Sequence, residues 1–88
     1  MTEKNFTVRF NEDSKKVLKS MTRRELGLIN NKLEQLEVDP YKHSKKLTGK
    51  DYWRIRAGDY RIIYTIDKGI LLVLVIRIGL RKDIYKRL

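Results

Sequence analysis

Arg54, Arg56 and Arg61 stand close together in the run Trp53-Arg54-Ile55-Arg56-Ala57-Gly58-Asp59-Tyr60-Arg61. Arg81 and Tyr85 follow in the basic tail Arg81-Lys82-Asp83-Ile84-Tyr85-Lys86-Arg87-Leu88. A guanidinium stays charged at any accessible pH, and its planar fork matches two phosphate oxygens at once. Several of them in one place suit a phosphodiester. A tail that folds back over these arginines would bring a further cation, Arg81, and an aromatic ring, Tyr85, on which a base can stack. The alternative use of Tyr85 is simple packing against the sheet. Cations beside an aromatic platform make a nucleic-acid site, and Lys45, Lys46, Arg77 and Lys82 are expected to add contacts to the nucleic acid around it.

The overall charge fits. The chain has 88 residues with 21 Lys+Arg against 11 Asp+Glu, a formal net charge of +10. Residues 1–40 carry eight basic and seven acidic side chains, whereas residues 41–88 carry thirteen and four, so almost all the excess lies in the second half. Such a field draws in phosphates or acidic segments and speeds encounter with them; excess lysine that merely keeps a small domain soluble is the plainer reading of charge alone. No cysteine is present, which excludes a disulfide framework, a thiolate metal site and a cysteine nucleophile. Neither a cofactor nor a metal is expected. The longest apolar run, residues 69–76, falls far short of the ~20 residues that cross a bilayer. The first ten residues lack the apolar stretch of a secretory leader. A cytoplasmic protein of one domain, residues 1–88, without a membrane partner is expected.

The elements that must hold the arginines follow from periodicity. Phe6-Thr7-Val8-Arg9-Phe10 alternates as a half-buried strand does. Asn11 or Asp13 suits the cap of a short helix carrying Val17, Leu18 and Met21. Thr22-Arg23-Arg24-Glu25 has the spacing of a capping box, opening a second helix with Leu26, Ile29, Leu33 and Leu36 on one stripe until Asp39-Pro40 stops it. Residues 42–50 read as a basic loop. From Tyr52 the period changes to two.

If Ala57-Gly58 is a hairpin loop, Arg56 pairs with Asp59 and Arg54 with Arg61, because residues directly opposite point to the same side. Arg54, Arg56, Arg61, Ile63 and Thr65 then share one face, while Trp53, Ile55, Tyr60, Ile62, Tyr64 and Ile66 face the core. A three-residue turn at Asp67-Lys68-Gly69 would pair Ile66 with Ile70 and send Ile70, Leu72, Leu74, Ile76 and Ile78 to the core, with Leu71, Val73, Val75 and Arg77 on the arginine side. The expected fold is α+β: an N-terminal strand, an α-helical hairpin, then a three-stranded antiparallel meander, all one sheet with the helices on its apolar face. Like charges opposed across a sheet are destabilising. Asp59 alone cannot neutralise three arginines.

Trp53-Arg54-Ile55-Arg56, Gly58-Asp59-Tyr60-Arg61-Ile62-Ile63-Tyr64 and Val75-Ile76-Arg77-Ile78-Gly79-Leu80-Arg81-Lys82-Asp83-Ile84-Tyr85, after a Leu47-Thr48-Gly49 lead-in, resemble the RelE toxins of bacterial and archaeal toxin–antitoxin systems. The resemblance spans nearly the whole chain. It implies a RelE-like fold and an mRNA interferase that enters the ribosomal A site and cuts the codon there. A cognate RelB-like antitoxin would hold it inactive, so that the toxin alone is a monomer and the complex a hetero-oligomer. It also implies metal-free attack of a ribose 2′-hydroxyl on the adjacent phosphate. By position, Arg54 and Arg56 match the family's paired basic residues and Arg61 its phosphate-binding arginine. Arg81 matches the cation that stabilises the transition state or leaving group, and Tyr85 the tyrosine that stacks on the base. Two departures stand out: Leu80 occupies a position where many relatives have histidine, and Arg54 and Arg56 stand where others have lysine. Arginine, with a pKa above about 12, is a poor general base, which leaves Tyr85 as the candidate proton acceptor; His43 reads as an exposed loop residue. Two other functions remain open: the gyrase inhibition of the related ParE toxins, and RNA binding without cleavage.

Overall fold

The computed structural model describes residues 5–80 together with Ile84 and Tyr85. The order is β1 (Thr7–Phe10), α1 (Glu12–Ser20), α2 (Arg23–Val38), β2 (Lys45–Lys46), β3 (Trp53–Ala57), β4 (Tyr60–Asp67) and β5 (Leu72–Leu80), an α+β arrangement with one five-stranded sheet ordered β1-β5-β4-β3-β2. The caps are those the sequence specifies. Asn11 accepts from the Ser14 N–H, and Thr22 and Glu25 form a reciprocal capping box that opens α2 immediately after α1 closes at Met21. Asp39 caps the far end of α2, and Pro40 follows it.

The core lies between α2 and one face of the sheet, where Ile29, Leu33 and Leu36 meet Ile55, Ile62, Tyr64, Val73, Val75 and Ile78. Each such side chain contributes about 1.5–3 kcal/mol on burial. β1 pairs in parallel with β5; the helical hairpin carries the chain from β1 at one edge of the sheet to β2 at the other, and β3 and β4 bring it back to β5. Within the expected basic loop the structure forms one short strand, β2, paired with β3.

Both hairpins differ in register from the sequence reading. The loop between β3 and β4 is Gly58-Asp59, so Ala57 pairs with Tyr60, Arg56 with Arg61 rather than Asp59, and Arg54 with Ile63 rather than Arg61. Gly58 adopts φ 63, a left-handed value open to glycine at little cost. This register differs from the expected one by an even number of residues, so every side chain keeps its face.

The second hairpin is a true correction. Asp67 pairs with Leu72 and Ile66 with Val73, so Ile70 and Leu71 lie in the loop, Ile70 remaining 69% exposed, and Val73 and Val75 take the core positions expected for Leu72 and Leu74. The turn is longer because Asp67 Oδ1 accepts from the N–H groups of both Gly69 and Ile70, while Leu71 rather than Gly69 takes the left-handed conformation at φ 53. Past the middle of β5 the faces agree with expectation again. A bulge leaves Ile76 without a partner between the Tyr64–Val75 and Ile63–Arg77 pairs and flips the parity, so Ile78 is buried. Its freed carbonyl accepts from the Asn11 side chain at 2.8 Å, and the buried Ser14 hydroxyl donates to the Val75 carbonyl at 3.3 Å. The start of α1 therefore fastens the bulge.

Candidate nucleic-acid interface

Opposed partners share a face, so the register defines two rows on the side of the sheet away from the core. Lys45, Arg54, Ile63 and Arg77 form one; Arg56, Arg61 and Gly79 form the next. Arg56 and Arg61 are directly opposite each other. Among the described residues no carboxylate forms an ion pair with Arg54, Arg56 or Arg61; the exposed pairs present are Lys15–Glu12 and Lys46–Asp51. Arg56 is exposed and Arg54 half-buried, whereas Arg61 is only 7% exposed and its Nε has no hydrogen-bond partner. A buried donor without a partner costs about 1–3 kcal/mol, more when charged. The arrangement therefore suits an anion, and it is unfavourable without one.

The end of the chain returns to this face. Arg77 Nη1 donates to the Ile84 carbonyl at 3.0 Å, and Ile84 Cδ1 lies 3.3 Å from where a Cβ on Gly79 would stand. Ile84 is 1% exposed, over the row that contains Arg61. Tyr85 beside it is 40% exposed. Arg81 and Lys82 lie outside the described residues.

Lys45 and Lys46 part company. Lys45 is opposite Arg54 and joins its row, while Lys46 is opposite Trp53, on the other face, and pairs with Asp51 at 3.7 Å. Arg77, expected among the RNA contacts, also holds the tail. The loop that delivers Lys45 is anchored by Tyr64, whose hydroxyl donates to the Pro40 carbonyl at 2.7 Å and is hydrogen-bonded to the Ser44 hydroxyl. Burial pushes the Tyr64 phenol up to about 12, with Ser44 opposing the shift and Asp39 adding to it. On the other side of the molecule Tyr60 donates to Glu25, which holds the Glu25 carboxyl below its ordinary value and raises the Tyr60 phenol.

β2 covers β3 only at Trp53 and Arg54. Beyond it a groove of about 550 Å³ opens, bordered by Arg54, Arg56 and Arg61 from the sheet and by Lys32, Gln35 and His43 from α2 and the following loop. Sequence reading missed Lys32, Gln35 and Ile84, and placed His43 away from the site. Only Ile84 left a signal, as an isoleucine inside a charged tail.

Residues 5–85 match the family model described as the ParE toxin of the type II toxin–antitoxin system parDE. The chain belongs to this RelE/ParE superfamily of toxins. Among solved structures, the toxin is similar to one in the RelBE2 toxin–antitoxin complex of Mycobacterium tuberculosis, with 27% identity, a TM-score of 0.79, and coverage of 90% of this chain and 94% of that one. It is also similar to one in the intact RelBE complex of Escherichia coli, at 25% identity, TM-score 0.75, and 84% and 94% coverage. A YoeB/ParE toxin from Agrobacterium tumefaciens shares the fold at 17% identity, TM-score 0.75, and 85% and 98% coverage. A search of curated proteins gave no match. Among the described residues no helix is long and apolar enough to cross a membrane, and no cluster of metal-ligating side chains occurs.

Proposed function

We propose that this toxin is a metal-independent, ribosome-dependent endoribonuclease that cuts mRNA in the A site and so inhibits translation. The observation that carries the reading is the convergence of Arg54, Arg56 and the nearly buried Arg61 on one face, with Ile84 folded over it. In the proposed reaction the 2′-oxygen forms a bond to the adjacent phosphorus and the bond from phosphorus to the 5′-oxygen breaks. The 2′-hydroxyl proton leaves to an acceptor and the 5′-oxygen gains one, giving a 2′,3′-cyclic phosphate and a 5′-hydroxyl. Negative charge gathers on the phosphorane. Arg54, Arg56 and Arg61 neutralise it, and Arg81, carried over from the family resemblance, stabilises the departing 5′-oxygen. Preorganised cations of this kind are worth several kcal/mol, and alignment of the attacking and leaving oxygens by the ribosome adds to that. Tyr85 offers the base a stacking surface and is the candidate proton acceptor. Lys45, Lys82 and Arg77 contribute to the field around the RNA.

The relatives solved as RelBE complexes support a RelB-like antitoxin as partner; in this reading the free toxin is a monomer. The compartment is the cytoplasm, where ribosomes are met, and one toxin domain spans residues 1–88. The ParE description of the matching family favours a second reading, gyrase inhibition. Primer extension on ribosome-bound mRNA separates the two: scission at defined codons supports the nuclease, and intact mRNA with trapped gyrase–DNA complexes overturns it.

A further inference from the structure

The turn that joins α2 to β2 holds His43, the chain's single histidine, in a left-handed conformation at φ 63. Residues other than glycine seldom adopt that conformation, and it persists where the surroundings enforce it. Here they do. The Asp39 side chain accepts from the N–H groups of Tyr41 and Lys42 at 3.0 and 3.3 Å, and the buried Tyr64 hydroxyl ties both flanks of the turn, Pro40 and Ser44, to β4. The side chain held in this way is exposed, and it borders the groove lined by Arg54, Arg56 and Arg61. Lys32 and Lys45 border the same groove. On its other side His43 shares a second groove with Glu34, Asp39 and Lys42.

Attack and departure in line place the 2′- and 5′-oxygens on opposite sides of the phosphorus. The groups that serve them therefore stand on opposite sides of the cations that hold it. Arg56, Arg61 and Gly79 form one row across β3, β4 and β5. Ile84 lays the tail on the β5 side of that row, beside Gly79. His43 comes from the other side: it precedes Lys45, which is opposite Arg54, and the antiparallel pairing leads back from there toward the Arg56 end of β3. β3 and β5 are two strand spacings apart, roughly 9–10 Å, which leaves room for a phosphodiester with a hydrogen bond on either side.

We propose that His43 is the general base of the cleavage. Its neutral imidazole takes the 2′-hydroxyl proton as the 2′-oxygen bonds to phosphorus. The bond to the 5′-oxygen breaks with its electron pair staying on that oxygen, which takes a proton from solvent, and the imidazolium afterwards releases its own to solvent. This role rests on the reading of the toxin as an RNA-cutting enzyme and moves the proton from Tyr85 to His43, leaving Tyr85 the stacking surface. An imidazole ordinarily changes charge near neutral pH, where phenols and guanidiniums do not.

Single-turnover cleavage on programmed ribosomes, with toxin in excess, measures the chemical step from about pH 5 to 8. The wild-type rate is expected to rise with pH and then level off, as one group loses a proton. Asparagine and glycine both suit a left-handed backbone, so His43→Asn and His43→Gly are expected to melt no lower than wild type. Both are expected to cut at least about 100-fold more slowly and without the rise, and added imidazole to restore part of the rate to His43→Gly. An mRNA with a bridging 5′-sulfur, which departs without a proton, is expected to leave both variants slow. His43→Asn that cuts at the wild-type rate, or that keeps the rise with pH, would show a turn residue and overturn the proposal. Rescue by the sulfur substrate would also overturn it, because that marks a proton donor. A wild-type rate that is flat across the range decides against it without any variant. Wild-type toxin that cuts no mRNA refutes the nuclease reading and this role with it, whereas cutting indifferent to His43 refutes this role alone.

Discussion

Replacing Arg61 by methionine keeps an unbranched apolar side chain opposite Gly79 and removes the charge. In the free toxin that charge is 7% exposed, directly opposite Arg56, with its Nε unpartnered. Leaving a polar group in that condition costs about 1–3 kcal/mol, so Arg61→Met is expected to stabilise the fold by about 1 kcal/mol or more. For a domain of this size 1 kcal/mol corresponds to roughly 4–8 °C in Tm. Loss of one preorganised donor to the phosphorane costs about 2.7–4 kcal/mol, or a 100- to 1,000-fold slower cleavage. The two effects run in opposite directions. Thermal unfolding followed by circular dichroism, alongside primer extension on programmed ribosomes, measures both. A variant that melts lower, with cleavage lost only in proportion to unfolded protein, would show Arg61 to be a structural residue and refute the reasoning.

Other perturbations follow from the same geometry. Gly58→Ala is expected to cost about 1–2 kcal/mol by denaturant titration, because φ 63 disfavours a Cβ and the added carbon would stand 3.2 Å from Leu28 Cδ1. Tyr64→Phe removes the hydroxyl that holds residues 40–44 and is expected to cost about 1–2 kcal/mol. The same phenol sets an alkaline limit. Its folded-state value of about 12 lies above the unfolded value of 10.0, so stability is intact below pH 10 and falls as pH rises from 10 to 12. Urea titrations across that window should show a steeper loss for wild type than for Tyr64→Phe. Gly79→Val is expected to push Ile84 off the arginine face; hydrogen exchange at Tyr85 should accelerate, cleavage fall, and stability drop by up to about 1.5–3 kcal/mol as Ile84 loses its burial.

Much of the arginine face was legible because strand side chains alternate with period two. The β3–β4 loop falls one residue later than expected on each strand, yet Arg54, Arg56 and Arg61 still share a side. The helix caps at Asn11 and Thr22 were equally legible, since their partners lie within three residues. Features set by distant contacts were not. The bulge at Ile76 is fixed by Asn11 and Ser14, more than sixty residues away. The β4–β5 turn is local, but Leu71 rather than Gly69 takes its left-handed position, so Val73 and Val75 were assigned to the wrong face. The groove depends on how soon β2 ends and on where α2 passes β3, which no local spacing encodes. His43 therefore looked remote from the arginines although it borders the same groove.

The most direct test of the nuclease account is to add purified toxin to ribosomes carrying a defined mRNA and to map the new RNA termini. The account predicts breaks inside the A-site codon that end in a 2′,3′-cyclic phosphate and a 5′-hydroxyl, formed about 100- to 1,000-fold more slowly with Arg61→Met. Intact mRNA at every codon tested, from a toxin preparation that still arrests growth, would contradict it.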